Sequence, residues 1–151
     1  MSRFVGSFEN RVDKKGRVSV PAPFRAVVAR QTSQELYLGF DPETGAIDAW
    51  TDAFLSEVEV RIDQLPIGSR KREALEMKYF SDPFAVQIDG DGRIVLPQKL
   101  RDNAGIGEVG LFVARGKSFQ LWDPDRLAAR KATLAAEVTD LELPPVPGGR
   151  S

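Results

Sequence analysis

The chain carries two copies of one sequence pattern, and this repeat constrains the fold more than any other feature. Residues 8–25 align with residues 84–101, an offset of 76 positions. Identical residues recur at six pairs of positions: Phe8/Phe84, Asp13/Asp89, Gly16/Gly92, Arg17/Arg93, Pro21/Pro97 and Arg25/Arg101. After a shorter loop in the second copy, residues 47–50 resemble residues 119–122, so both tryptophans occupy equivalent positions. Agreement of this extent indicates a duplicated supersecondary unit.

Each copy begins with the pattern of a tight hairpin. Apolar residues alternate with polar ones over residues 4–12, which predicts a strand. A turn follows, in which the Asp13 carboxylate is expected to accept backbone N–H groups and Gly16 to adopt a positive φ. Residues 17–20 then predict a short return strand. The second copy repeats the same pattern, so two such turns are expected.

Helices and a second hairpin complete each copy. Pro21 lacks the N–H that a ladder needs and suits a first helical turn, which predicts a helix over residues 21–30. Hairpins are predicted over residues 36–50 and 110–122, each followed by a helix, and a further helix over residues 69–80 joins the copies. Four aromatic residues at repeat-equivalent positions are predicted to lie in the core: Phe8, Phe84, Trp50 and Trp122.

Neither copy holds enough apolar residues to fold well alone. We therefore predict an α+β fold with a mainly β core, in which two pseudo-symmetric repeats close one β-barrel with helices outside it. The first repeat and its following helices are assigned to residues 1–80, and the second repeat with the C-terminal helix to residues 81–140. Residues 141–151 contain three Pro and two Gly and are expected to form a disordered tail.

Composition excludes several kinds of site. The sequence has no Cys and no His, which excludes disulfides, zinc sites with Cys or His ligands, and the usual general base near neutral pH. No glycine-rich phosphate-binding motif occurs. We expect no enzyme activity, no cofactor, no metal and no small-molecule substrate. A polar N-terminus and the lack of a run of about 18 apolar residues predict a cytoplasmic protein with no membrane contact.

The net charge of −1 hides an uneven distribution of charged residues. Residues 1–30 sum to +5 and residues 31–66 to −7. Residues 11–17 carry four cations and one acid, whereas residues 87–93 carry one cation and two acids. A local basic segment in a mildly acidic protein is consistent with an anion-binding surface. Folding could equally mix these charges over the surface.

The repeated motif resembles a known family. Two Asp-x-x-Gly-Arg turns, each followed by a short strand and Pro, resemble the swapped-hairpin domain of the AbrB and SpoVT type. The tandem pair in a chain of 151 residues resembles the MraZ family over about residues 3–140. The resemblance implies two swapped-hairpin repeats and a nucleoid-associated transcriptional regulator. It also implies that Asp13 with Arg17, and Asp89 with Arg93, form the family's DNA-binding signature.

The same resemblance implies a target and an assembly. The expected partners are double-stranded promoter DNA with short tandem repeats and further copies of the chain in a ring-shaped homo-oligomer, an octamer or dodecamer. The expected outcome is repression of the division and cell-wall gene cluster that includes the protein's own gene. We predict these DNA-binding residues: Arg11, Asp13, Lys14, Lys15, Arg17 and Arg93.

Elementary chemistry assigns different roles within this set. The Arg17 fork can reach guanine O6 and N7 or a phosphate, and Lys14 and Lys15 suit phosphates. Asp13 is expected to hold the turn, because a carboxylate repels phosphate. Arg17 and Arg93 could instead pair with carboxylates of the fold. An alternative function is an antitoxin-like or scaffold module that binds a protein through the acidic segment 31–66.

Overall fold

The computed structural model describes residues 3–148, within which eight β-strands and five α-helices are found. The first repeat and the linking helices contain β1 (Ser7–Arg11), β2 (Arg17–Ser19), α1 (Ala22–Ala29), β3 (Glu35–Asp41), β4 (Ala46–Thr51), α2 (Asp52–Ile62) and α3 (Arg70–Glu76). The second repeat contains β5 (Phe84–Gln87), β6 (Arg93–Val95), α4 (Gln98–Ala104), β7 (Val109–Ala114), β8 (Phe119–Trp122) and α5 (Pro124–Glu137). The predicted α+β class is confirmed.

The strands of the two repeats are interleaved. Six of them form one antiparallel sheet in the order β1-β7-β8-β4-β3-β5, and β2 pairs with β6 in a separate two-stranded ribbon. Strand β1 of the first repeat pairs with β7 of the second, and β5 of the second pairs with β3 of the first. Strands β4 and β8 join the two halves at the centre. Each repeat therefore supplies strands to both halves of the sheet.

The predicted closed β-barrel is not found in the described part of the chain. Strands β1 and β5 are the two edges of the sheet and do not pair with each other. Within residues 3–148, one β-bridge links this side of the sheet to the ribbon, and it joins Val12, which follows β1, to Val18 of β2. Both ribbon strands are three residues long and give way to Pro21 and Pro97, which begin α1 and α4. Because proline has no N–H for a ladder, Pro21 and Pro97 limit the length of both ribbon strands, and the short ribbon leaves the sheet open.

An aromatic cluster from both repeats forms the centre of the main core. Phe24 of α1 is fully buried. Its ring contacts those of Phe4, Phe8, Phe112 and Phe119 at centroid distances between 5.0 and 6.3 Å. Three of these four contacts are edge-on, the geometry that aromatic pairs favour. Burial of α1 therefore fixes β1 against the hairpin of the other repeat.

One of the four predicted core aromatics lies elsewhere. Trp50 and Trp122 are buried and Phe8 is half-buried, as predicted. The prediction for Phe84 is wrong, because 39% of its surface is exposed. Phe84 lies at the start of edge strand β5, whereas Phe8 packs on the ring of Phe24.

The central strands carry a polar pair on the face of the sheet opposite the main core. Asp48 of β4 lies directly across from Gln120 of β8. Gln120 Nε2 donates to Asp48 Oδ1 at 2.9 Å, and Gln120 Oε1 accepts from Trp122 Nε1 at 2.9 Å. Burial raises the pKa of the Asp48 carboxyl, and the hydrogen bond from Gln120 offsets part of this effect. The two repeats thus meet through unlike partners.

Capping residues set the ends of the outer helices. Thr51 Oγ1 accepts from the third amide of α2, and Asp123 caps α5 in the same way. The linking helix predicted over residues 69–80 is confirmed: α3 begins after Ser69 and continues as a π-helical turn over Met77–Ser81.

The predicted tail is only partly within the described residues. Residues 141–148 contain no helix or strand and are exposed, and residues 149–151 lie outside the described part. None of the helices in residues 3–148 combines the length and apolar character needed to cross a membrane.

Candidate nucleic-acid interface

The first repeated motif forms a tight turn, named turn 1 here (residues 13–17). Asp13 Oδ1 accepts from the backbone N–H groups of Lys15 and Arg17, both at 2.9 Å. Gly16 donates to the Asp13 carbonyl at 3.0 Å and has a φ of +84°. The hydrogen bond from the Arg17 N–H is the main cause that holds the pKa of Asp13 below its ordinary value. The predicted structural roles of Asp13 and Gly16 in the turn are confirmed.

The second motif forms turn 2 (residues 89–93) with the same backbone geometry. Asp89 Oδ1 accepts from the N–H groups of Asp91 and Arg93 at 2.9 and 3.0 Å. Gly92 has a φ of +79° and donates to the Asp89 carbonyl at 3.0 Å. The backbone hydrogen bond from Arg93 lowers the pKa of Asp89 as its largest cause. The two turns therefore differ in side chains and not in backbone.

The arginines that end the two turns are held differently. Arg17 Nε bonds Asp13 Oδ2 at 2.6 Å, and within residues 3–148 its two terminal nitrogens make no hydrogen bond. Arg93 Nη2 bonds Asp91 Oδ2 at 3.2 Å, and its Nε lies 3.6 Å from Asp89 Oδ2. Arg93 is therefore neutralised by two carboxylates, while Arg17 presents a fork of free donors.

Three more cations surround turn 1. The side chains of Arg11, Lys14 and Lys15 are exposed and form no ion pair or hydrogen bond within the described residues. An exposed cation without a carboxylate partner keeps its full attraction for an outside anion. Turn 2 offers no comparable group, since Gly90 and Asp91 occupy the positions of Lys14 and Lys15.

The structure brings most of the predicted site residues to one surface groove. Five of the six line it: Arg11, Asp13, Lys14, Arg17 and Arg93. Lys15 does not line the groove, although it belongs to the same turn. Val12, Ser19 and Glu108 complete the groove. Ser19 pairs with Arg93 across the ribbon, so strand exchange is what places the two arginines together.

The outward face of the β2–β6 ribbon belongs to this site. Val18 and Ile94 pair in the middle of the ribbon and are both buried in the core. Because side chains alternate along a strand, Arg17 and Arg93 lie on the opposite, outward face. A two-stranded ribbon fits the major groove of B-DNA. The arrangement is suited to binding an anion.

Two arginines that sequence reasoning left without a role pack against the turns. Arg101 of α4 lies against Gly16, and Arg25 of α1 lies against Gly92. The only sequence signal for them was their identity at equivalent positions of the repeat. Glu108 was also missed, and no sequence signal pointed to it, because it enters the site from the loop before β7.

Comparisons with known proteins identify the family. A family model described as "MraZ protein, putative antitoxin-like" matches residues 79–140. The chain is 36% identical to the transcriptional regulator MraZ of Xanthobacter autotrophicus over 141 residues, which cover 93% of this chain and 90% of that protein. The chain belongs to the MraZ family.

Further relatives agree with this assignment. The transcriptional regulator MraZ of Beijerinckia indica is 36% identical over 93% of this chain and 86% of its own. That of Rhodospirillum rubrum is 38% identical over 87% of this chain and 86% of its own. The family model covers the second repeat, whereas these MraZ relatives align with both repeats.

Proposed function

We propose that this chain is a transcriptional regulator that binds double-stranded promoter DNA through turn 1 and the outward face of the β2–β6 ribbon. The observation that carries the proposal is the set of exposed cations without ion pairs around turn 1: Arg11, Lys14 and Lys15. The names of the MraZ relatives support regulation of transcription.

The side chains of the site take distinct roles in this proposal. Lys14, Lys15 and Arg11 bind phosphates, which supplies most of the salt-dependent affinity. The free terminal nitrogens of Arg17 reach a base edge or a phosphate. Asp13 keeps Arg17 in place by pairing with the Nε of that arginine. Arg93 contributes less to DNA binding because Asp91 already pairs with its guanidinium.

One such footprint is small, so the proposal includes assembly. The three cations of turn 1 together with Arg11 give weak binding alone, whereas several footprints presented to tandem sites gain affinity through effective concentration. We propose a ring-shaped homo-oligomer, an octamer or dodecamer, that represses the division and cell-wall gene cluster containing its own gene. The two swapped-hairpin repeats, assigned to residues 1–80 and 81–140, act as one unit in the cytoplasm at the nucleoid.

A mobility-shift titration tests the proposal. The DNA probe is the fragment just upstream of the protein's own gene, and an unrelated fragment of equal length serves as control. The triple variant Lys14→Ala/Lys15→Ala/Arg17→Ala is compared with a variant that loses three exposed cations elsewhere, Lys71→Ala/Arg115→Ala/Lys131→Ala. Selective binding that only the first variant loses supports the proposal.

The opposite outcome favours the alternative function. If the folded wild-type protein shows no preference for its own upstream DNA at any salt concentration, the DNA-binding proposal is wrong. The protein-binding module then becomes the better hypothesis. Its affinity for a protein partner should depend little on salt, in contrast to phosphate binding.

A further inference from the structure

We infer that each turn is held in place by an arginine of the other repeat, and that Arg101 is the positioning residue for the DNA-contacting turn 1. This inference rests on the proposed function for its consequence in DNA binding. Arg101 lies in α4 of the second repeat, and Gly16 lies in turn 1 of the first. Arg25 lies in α1 of the first repeat, and Gly92 lies in turn 2 of the second.

The contact of Arg101 with turn 1 is close. A Cβ atom added to Gly16 would lie 3.1 Å from Arg101 Nε and 2.7 Å from the carbonyl oxygen of Leu96. Gly16 is buried although most of its turn is exposed. The Leu96 N–H also donates to the Gly16 carbonyl at 2.8 Å. Gly16 is thus enclosed by groups of the second repeat, while most of turn 1 remains exposed.

Turn 2 has the equivalent contacts with the roles of the two repeats exchanged. A Cβ atom added to Gly92 would lie 3.0 Å from Arg25 Cδ and Nη1. The Val20 N–H donates to the Gly92 carbonyl at 2.9 Å, and Arg25 Nη1 donates to the Val20 carbonyl at 2.5 Å. Arg25 therefore lies between the end of β2 and turn 2. Because β2 pairs with β6, each arginine contacts the turn of the other repeat.

Of these two arginines, Arg101 alone has side-chain partners on its own helix within the described residues. Arg101 Nη2 donates to Gln98 Oε1, and Gln98 Nε2 donates to Asp102 Oδ1 at 2.7 Å. The positions equivalent to Gln98 and Asp102 in the first repeat are Ala22 and Ala26, which cannot make these bonds. The more elaborate support thus serves the turn that carries the free cations. A site that is ordered before binding loses less entropy when DNA arrives.

Hydrogen exchange of assigned amides tests which arginine holds which turn. For Arg101→Ala we expect exchange of the Gly16 and Leu96 amides to accelerate about tenfold, while the Gly92 and Val20 amides stay within about twofold of wild type. Arg25→Ala should give the reverse pattern. Equal acceleration at both turns, or acceleration within the mutated repeat alone, would overturn the inference.

Gln98→Ala covers the case in which Arg101→Ala fails to fold. Gln98 is exposed, so its loss should leave the core intact and still free the Arg101 guanidinium. We expect the same selective acceleration at Gly16 and Leu96, at about threefold. No selective change in this variant would argue against the support described for Arg101.

Titration with the upstream DNA links the inference to the proposed function. Arg101→Ala should weaken binding about fivefold and Arg25→Ala less than about twofold, although both leave the turn cations in place. The hydrogen-exchange rates alone decide whether each arginine holds the turn of the other repeat. If the two variants show the crosswise hydrogen-exchange pattern but the wild-type protein does not bind the DNA, the proposed function is refuted and the positioning role of the arginines stands.

Discussion

Replacing Lys14 and Lys15 with alanine should flatten the salt dependence of DNA binding by a predictable amount. Both side chains are exposed and without ion pairs within residues 3–148, so the change removes two charges and disturbs no contact of the fold. Each phosphate contact contributes about 0.9 to the slope of log K against log salt. The double variant should therefore lose a slope of about 1.8 for each protomer engaged.

This slope converts into a measurable ratio of affinities. Between roughly 50 and 200 mM salt, wild type should lose about tenfold more affinity per engaged protomer than the double variant. Fluorescence anisotropy with a labelled upstream fragment at four salt concentrations gives the slope. Lys71→Ala/Lys131→Ala removes the same charge from α3 and α5 and should keep the wild-type slope. Parallel slopes for all three proteins would refute phosphate binding by turn 1.

Three further predictions follow from the geometry of the turns and the sheet. Arg17→Ala should cost about 1–3 kcal/mol of DNA-binding free energy and Arg93→Ala less, and equal losses in the same titration would show that both turns contact DNA alike. Gly16→Ala should cost about 1–3 kcal/mol in urea unfolding, because its φ is positive and its Cβ would strike a carbonyl oxygen. Gly90→Ala, with open space around it, should be near neutral, and a similar cost for both would contradict this account. Because burial raises the folded-state pKa of Asp48 above its unfolded value, ionisation destabilises the fold as pH rises. Asp48→Asn should therefore be more stable than wild type at pH 7 and equal to it well below the ordinary carboxyl pKa of 3.8, which urea midpoints at the two pH values would check.

Local chemistry made the turns and helix ends predictable from the sequence. Asp13 and Gly16 act on groups within four residues, so their type and spacing alone fix the turn. Thr51 and Asp123 likewise act over three residues, each capping the helix that begins at the next position. Interactions of such short range need no knowledge of the rest of the fold.

The pairing of strands was not predictable in the same way. Because the two repeats are alike, the sequence does not say whether β1 pairs with the hairpin of its own copy or with that of the other. The prediction that Phe84 is buried was wrong for a related reason. Phe8 packs on the ring of Phe24, but the equivalent residue in the second repeat is Leu100, which has no ring to reach Phe84.

The same limit applies to the candidate site. Charge along the chain distinguished turn 1 from turn 2, and the ion pairs of Arg93 with Asp91 and Asp89 agree with that distinction. The contact of Arg101 with Gly16 joins residues 85 positions apart in the sequence, so spacing could not indicate it. It depends on the exchange of strands, which only the structure gives.

The pair of unlike residues at the centre of the sheet depends on both repeats belonging to one chain. If the repeats were separate and identical, a true twofold axis would put the same residue on both sides, either two carboxylates or two amides. One covalent chain removes that constraint, so an acceptor, Asp48, can face a donor, Gln120. The link between the halves therefore allows the two repeats to carry different side chains at equivalent positions of the central strand pair.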